Sequence, residues 1–172
     1  PVLLVQGQGC TGGSVSLLNS VDPSIADVLL KVISLQFHPT VMASEGETAL
    51  ENLYHIAEKY KGKFSLAVEG AIPMAANGKY CVVGELDHKE ITMVDIVKDL
   101  GAKAGSVLSV GTCAAYGGIP AAKGNQTEAV GVMDFFKLYG IKTPVVNIPG
   151  CPSHPDWIVG SIAHLLTKGL PE

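Results

Sequence analysis

Short, almost wholly apolar runs alternate with segments of helical periodicity along this chain, and no other feature constrains its fold as strongly. Each run is five or six residues long and has glycine or proline close to one or both ends. Such runs are typical of strands buried on both faces. The predicted strands are Val2–Gln6, Val32–Phe37, Phe64–Val68, Ser106–Val110 and Pro144–Ile148. A further short run, Tyr80–Val83, predicts either an edge hairpin or an insertion.

The segments between the runs carry apolar side chains at the three-and-four spacing of amphipathic helices. We predict helices at Glu47–Tyr60, Met93–Leu100 and Thr127–Tyr139, and a last helix that begins at Pro155. Thr92 is the expected N-cap of the second helix, which Gly101 should end, and Gly140 should end the third. This alternation predicts a doubly wound α/β fold, with about five parallel strands and helices on both faces. Because the chain has no internal repeat or linker, we expect residues 1–172 to form a single domain.

The composition predicts a surface that is partly covered by another protein. Of the 172 residues, 47% are apolar and only 16% are charged, which is an oily balance for a soluble monomer. No run approaches the roughly 18 apolar residues of a membrane helix, so we expect no membrane span. The net charge of −4, without a basic stripe, argues against nucleic-acid binding.

The amino-terminal residues, Pro1–Val5, read directly as a strand. No basic leader, apolar signal core or cleavage site stands in front of them. A proline left after removal of an initiator methionine fits a cytosolic chain, and we therefore expect a cytoplasmic location. The alternative is a periplasmic chain whose leader was removed.

Three cysteines follow the carboxyl ends of separate predicted strands. Cys10 follows the first strand, Cys113 the fourth and Cys151 the fifth, while Glu69 follows the third. In an open parallel sheet, ligands bind at this edge, where the strand order reverses. The cysteines are too far apart in sequence for a local zinc finger, and soft thiolates from separate loops suit an iron–sulfur cluster. We therefore predict that Cys10, Cys113 and Cys151 bind such a cluster.

Other residues of these segments have simpler interpretations that stay open. The loop Gly7–Gly13 alone also fits a phosphate- or flavin-binding turn, although it lacks the Lys-Ser/Thr ending of a nucleotide loop. Glu69 either caps a helix or belongs to the site. His154 either packs on Trp157 or takes part in a proton or electron path. We expect Cys81 to be a buried, inert thiol and His38 to be structural.

Five motifs, in this order, resemble those of the small subunit of nickel–iron hydrogenases, and most closely its nickel–iron–selenium branch. They are Gln6–Gly12, Phe37–Ala43, Val68–Pro73, Gly111–Ala122 and Asn147–Trp157. The resemblance implies a flavodoxin-like domain whose proximal [4Fe–4S] cluster faces a large subunit that carries the nickel–iron centre. It matches Cys10, Cys113 and Cys151 to three ligands of that cluster. We expect the cofactor site to include Gly9, Gly12, Gly13, Ser14, Glu69 and Thr112.

The sequence departs from the family pattern at one ligand position. The family's first motif reads Cys-Thr-Gly-Cys, and here Gly13 stands in place of the second cysteine. Val15 replaces an acidic residue that most of the family has, although the selenium branch also has a small apolar residue there. We favour a four-iron cluster whose fourth ligand is water, hydroxide, Ser14, Glu69 or a partner residue. A three-iron cluster is the alternative.

The resemblance also implies a function, with alternatives from other classes. We expect an electron-transfer subunit that relays electrons between the large subunit and an external carrier, and that does not activate hydrogen alone. The family usually continues into a second, cysteine-rich domain beyond the position of Glu172. We expect a further redox subunit to dock there; the alternative is a proximal cluster near enough to solvent to exchange electrons directly. One alternative is a hydrogenase-like assembly or binding module with an altered or lost cluster. Another is a flavodoxin-like flavin protein, which leaves the cysteines unexplained.

Overall fold

Seven strands and seven α-helices make up residues 1–170, the part of the chain described by a computed structural model. The strands are β1 (Val2–Gln6), β2 (Leu35–Phe37), β3 (Ser65–Glu69), β4 (Val82–Leu86), β5 (Lys89–Thr92), β6 (Ser106–Val110) and β7 (Val145–Ile148). The helices are α1 (Gly12–Leu17), α2 (Ile25–Asp27), α3 (Gly46–Lys59), α4 (Met93–Lys103), α5 (Gly111–Tyr116), α6 (Val132–Tyr139) and α7 (Pro155–Lys168). Shorter turns are a π-helix at Val28–Val32 and 3₁₀ segments at Ala75–Cys81 and Ile119–Ala121.

Five of the strands form one parallel sheet in the order β2-β1-β3-β6-β7. This is the flavodoxin-like order, interrupted only by the separate antiparallel hairpin β4–β5. The strand order reverses between β1 and β3, so the loops after these two strands diverge and leave a crevice at the carboxyl edge. The predicted doubly wound α/β fold is confirmed.

Helices cover both faces of the sheet. Residues of α3, α4 and α6 pack with Leu3, Val5 and Leu66 on one face, which holds the larger buried cluster. Residues of α1 and α7 pack on the other face with Leu4 and Leu108. Because side chains alternate along a strand, β1 and β6 contribute apolar side chains to both clusters. Among residues 1–170, none of the helices is both long and apolar enough to cross a membrane.

Some predicted boundaries differ from the structure for identifiable reasons. β2 begins at Leu35 because the residues before it form the π-helix. α4 continues past Gly101, where the missing side chain makes room for the ring of Phe136; an added Cβ would lie 2.7 Å from its Cζ. α6 begins at Val132, and Thr127 lies in the preceding loop, with its hydroxyl 2.6 Å from Oδ1 of Asn125 and 2.9 Å from Oε1 of Gln8.

Three local predictions are confirmed. Thr92 caps α4 in a capping box with Asp95, in which each side chain accepts a hydrogen bond from the other residue's backbone N–H. Gly140 ends α6 in the left-handed conformation. The Tyr80–Val83 run enters the β4–β5 hairpin.

Candidate functional site

A pocket at the carboxyl edge of the sheet is lined by all three cysteines that follow the strands. Cys10 comes from the loop after β1, Cys113 from the first turn of α5 and Cys151 from the loop after β7. The pocket is a small concave space that is partly open to solvent. Five of the other predicted residues also line it: Gly9, Gly12, Gly13, Glu69 and Thr112. Sequence reasoning missed Gly70, Val110, Gly111, Gly150 and Pro152.

Glycines let the backbone approach two of the thiols closely. A Cβ added to Gly12 would lie 3.0 Å from the sulfur of Cys10. A Cβ added to Gly118, whose φ is +53°, would lie 2.9 Å from the sulfur of Cys113. Both distances are too short for ordinary contacts, so these positions need glycine for the pocket to keep its shape. In the sequence these glycines lie two residues after Cys10 and five residues after Cys113.

Hydrogen bonds join the loops that carry Cys113 and Cys151. The backbone N–H of Thr112 donates to the carbonyl of Gly150 (2.8 Å), and the N–H of Gly150 donates to the hydroxyl of Thr112 (3.0 Å). The hydroxyl of Ser153, which is fully buried, donates to the carbonyl of Ile148 (2.6 Å). These bonds fix the geometry of the loops through residues other than the cysteines themselves.

The three thiols differ in exposure. Cys10 and Cys151 are exposed and Cys113 is partly buried. Burial raises the pKa of Cys113, and the neighbouring Cys151, Cys10 and Glu69 raise it further, while the backbone N–H of Ile119 opposes the rise. None of the cysteines is in a disulfide. Cys81 is only partly buried against the core and is not among the residues that line the pocket, and burial raises its pKa.

Glu69 forms part of the pocket wall, and its two carboxylate oxygens accept four hydrogen bonds. Oε1 accepts from the backbone N–H groups of Gly13 (2.7 Å) and Ser14 (3.1 Å). Oε2 accepts from the hydroxyl of Ser14 (2.5 Å) and from the amide of Gln6 (3.1 Å). A carboxylate offers about four lone pairs, so these donors use its full capacity. Glu69 thus both lines the pocket and caps the first turn of α1.

We expected Ser14 to belong to the cofactor site, but it lies behind the pocket wall and does not line the pocket. Its hydroxyl donates to Glu69 and lies 3.0 Å from Nε2 of His38. His38 is 7% exposed, and its other ring nitrogen lies next to Thr40. Its part in this network follows from the contact between the β2 loop and α1, for which the sequence carried no local signal.

The position of the family's fourth cysteine is tightly enclosed. A Cβ added to Gly13 would lie 2.8 Å from Cγ1 of Val110 and 3.0 Å from Oε1 of Glu69. Within residues 1–170, the pocket lining contains no fourth cysteine. In the same part of the chain, no three His, Cys, Asp or Glu side chains converge on a single metal-ion position.

The donor set fits an iron–sulfur cluster. Three thiols surround a concave space instead of meeting at one point, and glycine backbone approaches two of the sulfurs. Thiolates are the soft ligands that such clusters use, and nearby N–H groups stabilise their sulfurs. His154, by contrast, packs on Trp157 with ring centroids 6.1 Å apart and caps α7. This agrees with its simpler interpretation.

Comparisons with known proteins agree with this geometry. The family described as "NADH ubiquinone oxidoreductase, 20 Kd subunit" matches residues 10–165. The periplasmic [NiFeSe] hydrogenase small subunit of Desulfomicrobium baculatum is 60% identical over 167 residues, which cover 94% of this chain and 53% of that protein. The hydrogenase-2 small chain of Escherichia coli K12 is 39% identical over 99% of this chain and 44% of its own length. The chain thus spans about half the length of these curated relatives.

A solved structure shows the same fold. The recombinant [NiFeSe] hydrogenase from Desulfovibrio vulgaris Hildenborough superposes with a TM-score of 0.95 at 63% identity, over 98% of this chain and 61% of the matched chain.

The names of the relatives correct one expectation. Matching small subunits from D. baculatum, Solidesulfovibrio fructosivorans and Nitratidesulfovibrio vulgaris are all named periplasmic. The expected cytoplasmic location is therefore wrong, because a strand at the first residues says nothing about a leader that processing removes. On the family match and these relatives together, the chain belongs to the "NADH ubiquinone oxidoreductase, 20 Kd subunit" family and, within it, to the small subunits of nickel–iron and nickel–iron–selenium hydrogenases.

Proposed function

We propose that this chain is the electron-transfer subunit of a periplasmic nickel–iron or nickel–iron–selenium hydrogenase, and that Cys10, Cys113 and Cys151 hold its iron–sulfur cluster. The observation that carries the proposal is the meeting of these three thiols in one glycine-lined pocket at the sheet edge. When bound, the cluster would supply one-electron redox chemistry. The chain's own residues bind it, exclude water from its buried side and orient it toward the partner.

The fourth iron position is the point at which this chain differs from its family. Glu69 and Ser14 were our protein-based candidates for the missing ligand, but the oxygens of both are engaged in hydrogen bonds. We therefore propose a four-iron cluster whose fourth ligand is water, hydroxide or a residue of the partner. A stoichiometric three-iron EPR signal from anaerobically oxidised protein would decide for the three-iron alternative.

The partner in this proposal is a hydrogenase large subunit that covers the carboxyl edge. Large apolar side chains are exposed around that edge, from α1, α5, the following 3₁₀ segment and α7: Val15, Leu18, Tyr116, Ile119 and Trp157. Exposed apolar surface of this kind marks protein interfaces. The nickel–iron centre belongs to that partner. The further redox subunit that we expected has no support among the residues described or the relatives named, and it stays a prediction.

Iron and acid-labile sulfide analysis of anaerobically purified protein tests the proposal. We expect three to four iron atoms per chain, as the two cluster types require. Protein that folds and binds a large subunit but contains no iron would instead support the second candidate, a hydrogenase-like assembly or binding module. Gly13 is the observation that favours that candidate, because it removes one family ligand. Bound flavin without iron would contradict both.

A further inference from the structure

A continuous chain of hydrogen-bonded side chains leads from the cluster pocket to the surface. It starts at Glu69, in the pocket wall, and passes to the hydroxyl of Ser14 at 2.5 Å. The same hydroxyl lies 3.0 Å from Nε2 of His38, whose Nδ1 lies 3.0 Å from the hydroxyl of Thr40. Glu69 and His38 are 5% and 7% exposed, whereas Thr40 is exposed. The proposed function leaves His38 and Thr40 without a role.

The hydrogen bonds at Thr40 fix the direction of this chain. The backbone N–H of Thr40 can only donate, and it lies 3.3 Å from Nδ1 of His38. Nδ1 is therefore the acceptor nitrogen, and the ring proton of a neutral His38 lies on Nε2. Burial lowers the pKa of His38, although the charge of Glu69 opposes this, and the ring stays neutral at pH 7. Nε2–H then donates to Ser14.

This direction determines what Ser14 can do. Its hydroxyl oxygen accepts from His38, so its single proton is free to be donated to Glu69. That donation completes the four hydrogen bonds of the carboxylate, two of which come from the backbone at the start of α1. The loop of Cys10 leads directly into this first turn. The state of His38 is thereby connected to the pocket wall without any direct contact with a thiol.

We propose that His38 is a positioning residue of the cluster site. By donating a hydrogen bond to Ser14, it holds Glu69 against α1 as a fully hydrogen-bonded carboxylate. Glu69 then stays off the iron and remains a fixed negative charge in the pocket wall. This inference rests on the proposed function, because it concerns the position of Glu69 relative to the proposed cluster. The hydrogen-bond arrangement itself does not depend on iron, and it is tested separately.

The first experiment measures the tautomer of His38 in the wild-type protein. Long-range ¹H–¹⁵N NMR of ¹⁵N-histidine-labelled protein distinguishes a proton on Nε2 from one on Nδ1. We expect the Nε2–H form at pH 7. A proton on Nδ1, or a charged ring, overturns the proposal. Because this result is independent of cluster content, it separates failure of the inference from failure of the proposed function.

The second experiment compares His38→Gln with His38→Leu. The amide N–H of glutamine can donate to Ser14, whereas leucine cannot donate. We expect amide hydrogen exchange at Gly13 to be about tenfold faster in H38L and close to wild type in H38Q, since a charge-assisted hydrogen bond is loosened only in H38L. His164, a partly buried histidine on α7, gives the control pair H164Q and H164L, which should leave exchange at Gly13 unchanged.

The cluster gives a third, spectroscopic measurement on the same variants. We expect the EPR line shape and reduction potential of H38Q to match wild type, and those of H38L to shift. Equal shifts in both variants would assign His38 to packing alone and overturn the proposal, as would no shift in either. If H38L does not fold, the tautomer of His38 and the H38Q variant still test the proposal. An H38Q protein that loses the wild-type EPR line shape and reduction potential would contradict a donor role for His38.

Discussion

The two edges of the parallel sheet are built from different chemistry. Among residues 1–170, the lining of the carboxyl-edge pocket combines glycines, three thiols and one carboxylate with Val110, Thr112 and Pro152, and it includes no lysine. At the amino edge Lys103, at the end of α4, forms ion pairs with Glu58 of α3 and, at 2.8 Å, with Asp99. Lys61 and Lys63 stand exposed in the loop between α3 and β3.

The comparison shows that close packing determines the geometry of the carboxyl edge, whereas ion pairs hold the helices together at the amino edge. At the carboxyl edge, backbone atoms approach sulfur so closely that single added carbons would collide. At the amino edge, the partly buried Lys103 pairs with carboxylates that are themselves exposed, so water and salt weaken these ion pairs. We therefore expect substitutions at the carboxyl edge to change the iron content and the free energy of unfolding more than substitutions at the amino edge do.

The largest effect should come from Cys113→Ser. Serine offers a hard oxygen in place of a soft thiolate, and only two cysteines would then remain in the pocket. We expect the variant to retain almost no iron or acid-labile sulfide after anaerobic purification. The matched control is Cys81→Ser, since Cys81 packs against the core away from the pocket and its loss should leave iron content unchanged. A C113S protein with the full iron content would contradict the ligand assignment.

A smaller effect is expected from Gly13→Ala. The new methyl group would lie within contact distances of 2.8 Å and 3.0 Å from Val110 and Glu69. Such overpacking should lower the free energy of unfolding by about 1–3 kcal/mol, measured by urea denaturation. Gly160→Ala is the control in α7, where nothing lies within 4 Å of the added carbon. Because alanine favours a helix interior, this control should stabilise the protein by up to about 1 kcal/mol. Equal destabilisation by the two changes would refute the enclosed wall at Gly13.

Next in size is a difference in pH dependence between the edges. Burial lowers the pKa of His38 below its usual 6.5. As pH falls below that value the unfolded chain takes up a proton that the folded chain does not, so stability decreases. At the amino edge, the hydrogen bond and charge of Lys103 lower the pKa of Glu58 from 4.5, so its stabilising contribution is lost only as pH falls below that value.

Chemical denaturation between pH 7 and pH 5 separates these contributions. We expect His38→Gln to flatten the loss of stability in this range, because glutamine does not titrate. Glu58→Gln should leave the slope in this range unchanged and reduce it only below pH 4.5. A wild-type protein equally stable at pH 7 and pH 5 would rule out the contribution of His38.

The smallest effect should come from Lys103→Met. The methionine keeps much of the apolar stem and removes the charge that pairs with Glu58 and Asp99. Since ion pairs whose carboxylates are exposed to solvent are worth little, we expect a loss of about 0.5 kcal/mol in the free energy of unfolding, and an unchanged iron content. A change in iron content would show that the two edges are coupled through the sheet.

The sequence predicted most of the sheet and the gathering of the cysteines, and it missed what depends on packing. β1 and β6 have the predicted bounds, because each is a short, mainly apolar run that is followed directly by a glycine. The position of the three thiols follows from topology, since parallel strands bring all their carboxyl ends to one edge. The pairing of His38 with Ser14 joins two segments that are unrelated in sequence pattern, so no local signal predicted it. The roles of these residues in binding a cluster stay predictions.

The paired hydrogen bonds between Thr112 and Gly150 bear on how this protein matures in a cell. They join the loops of Cys113 and Cys151 through backbone N–H groups, a carbonyl and a hydroxyl, and not through the thiols. If the three thiols hold a cluster, as proposed, the contact between these loops does not depend on it. We therefore expect the folded protein to accept a cluster that was assembled elsewhere, as one finished unit.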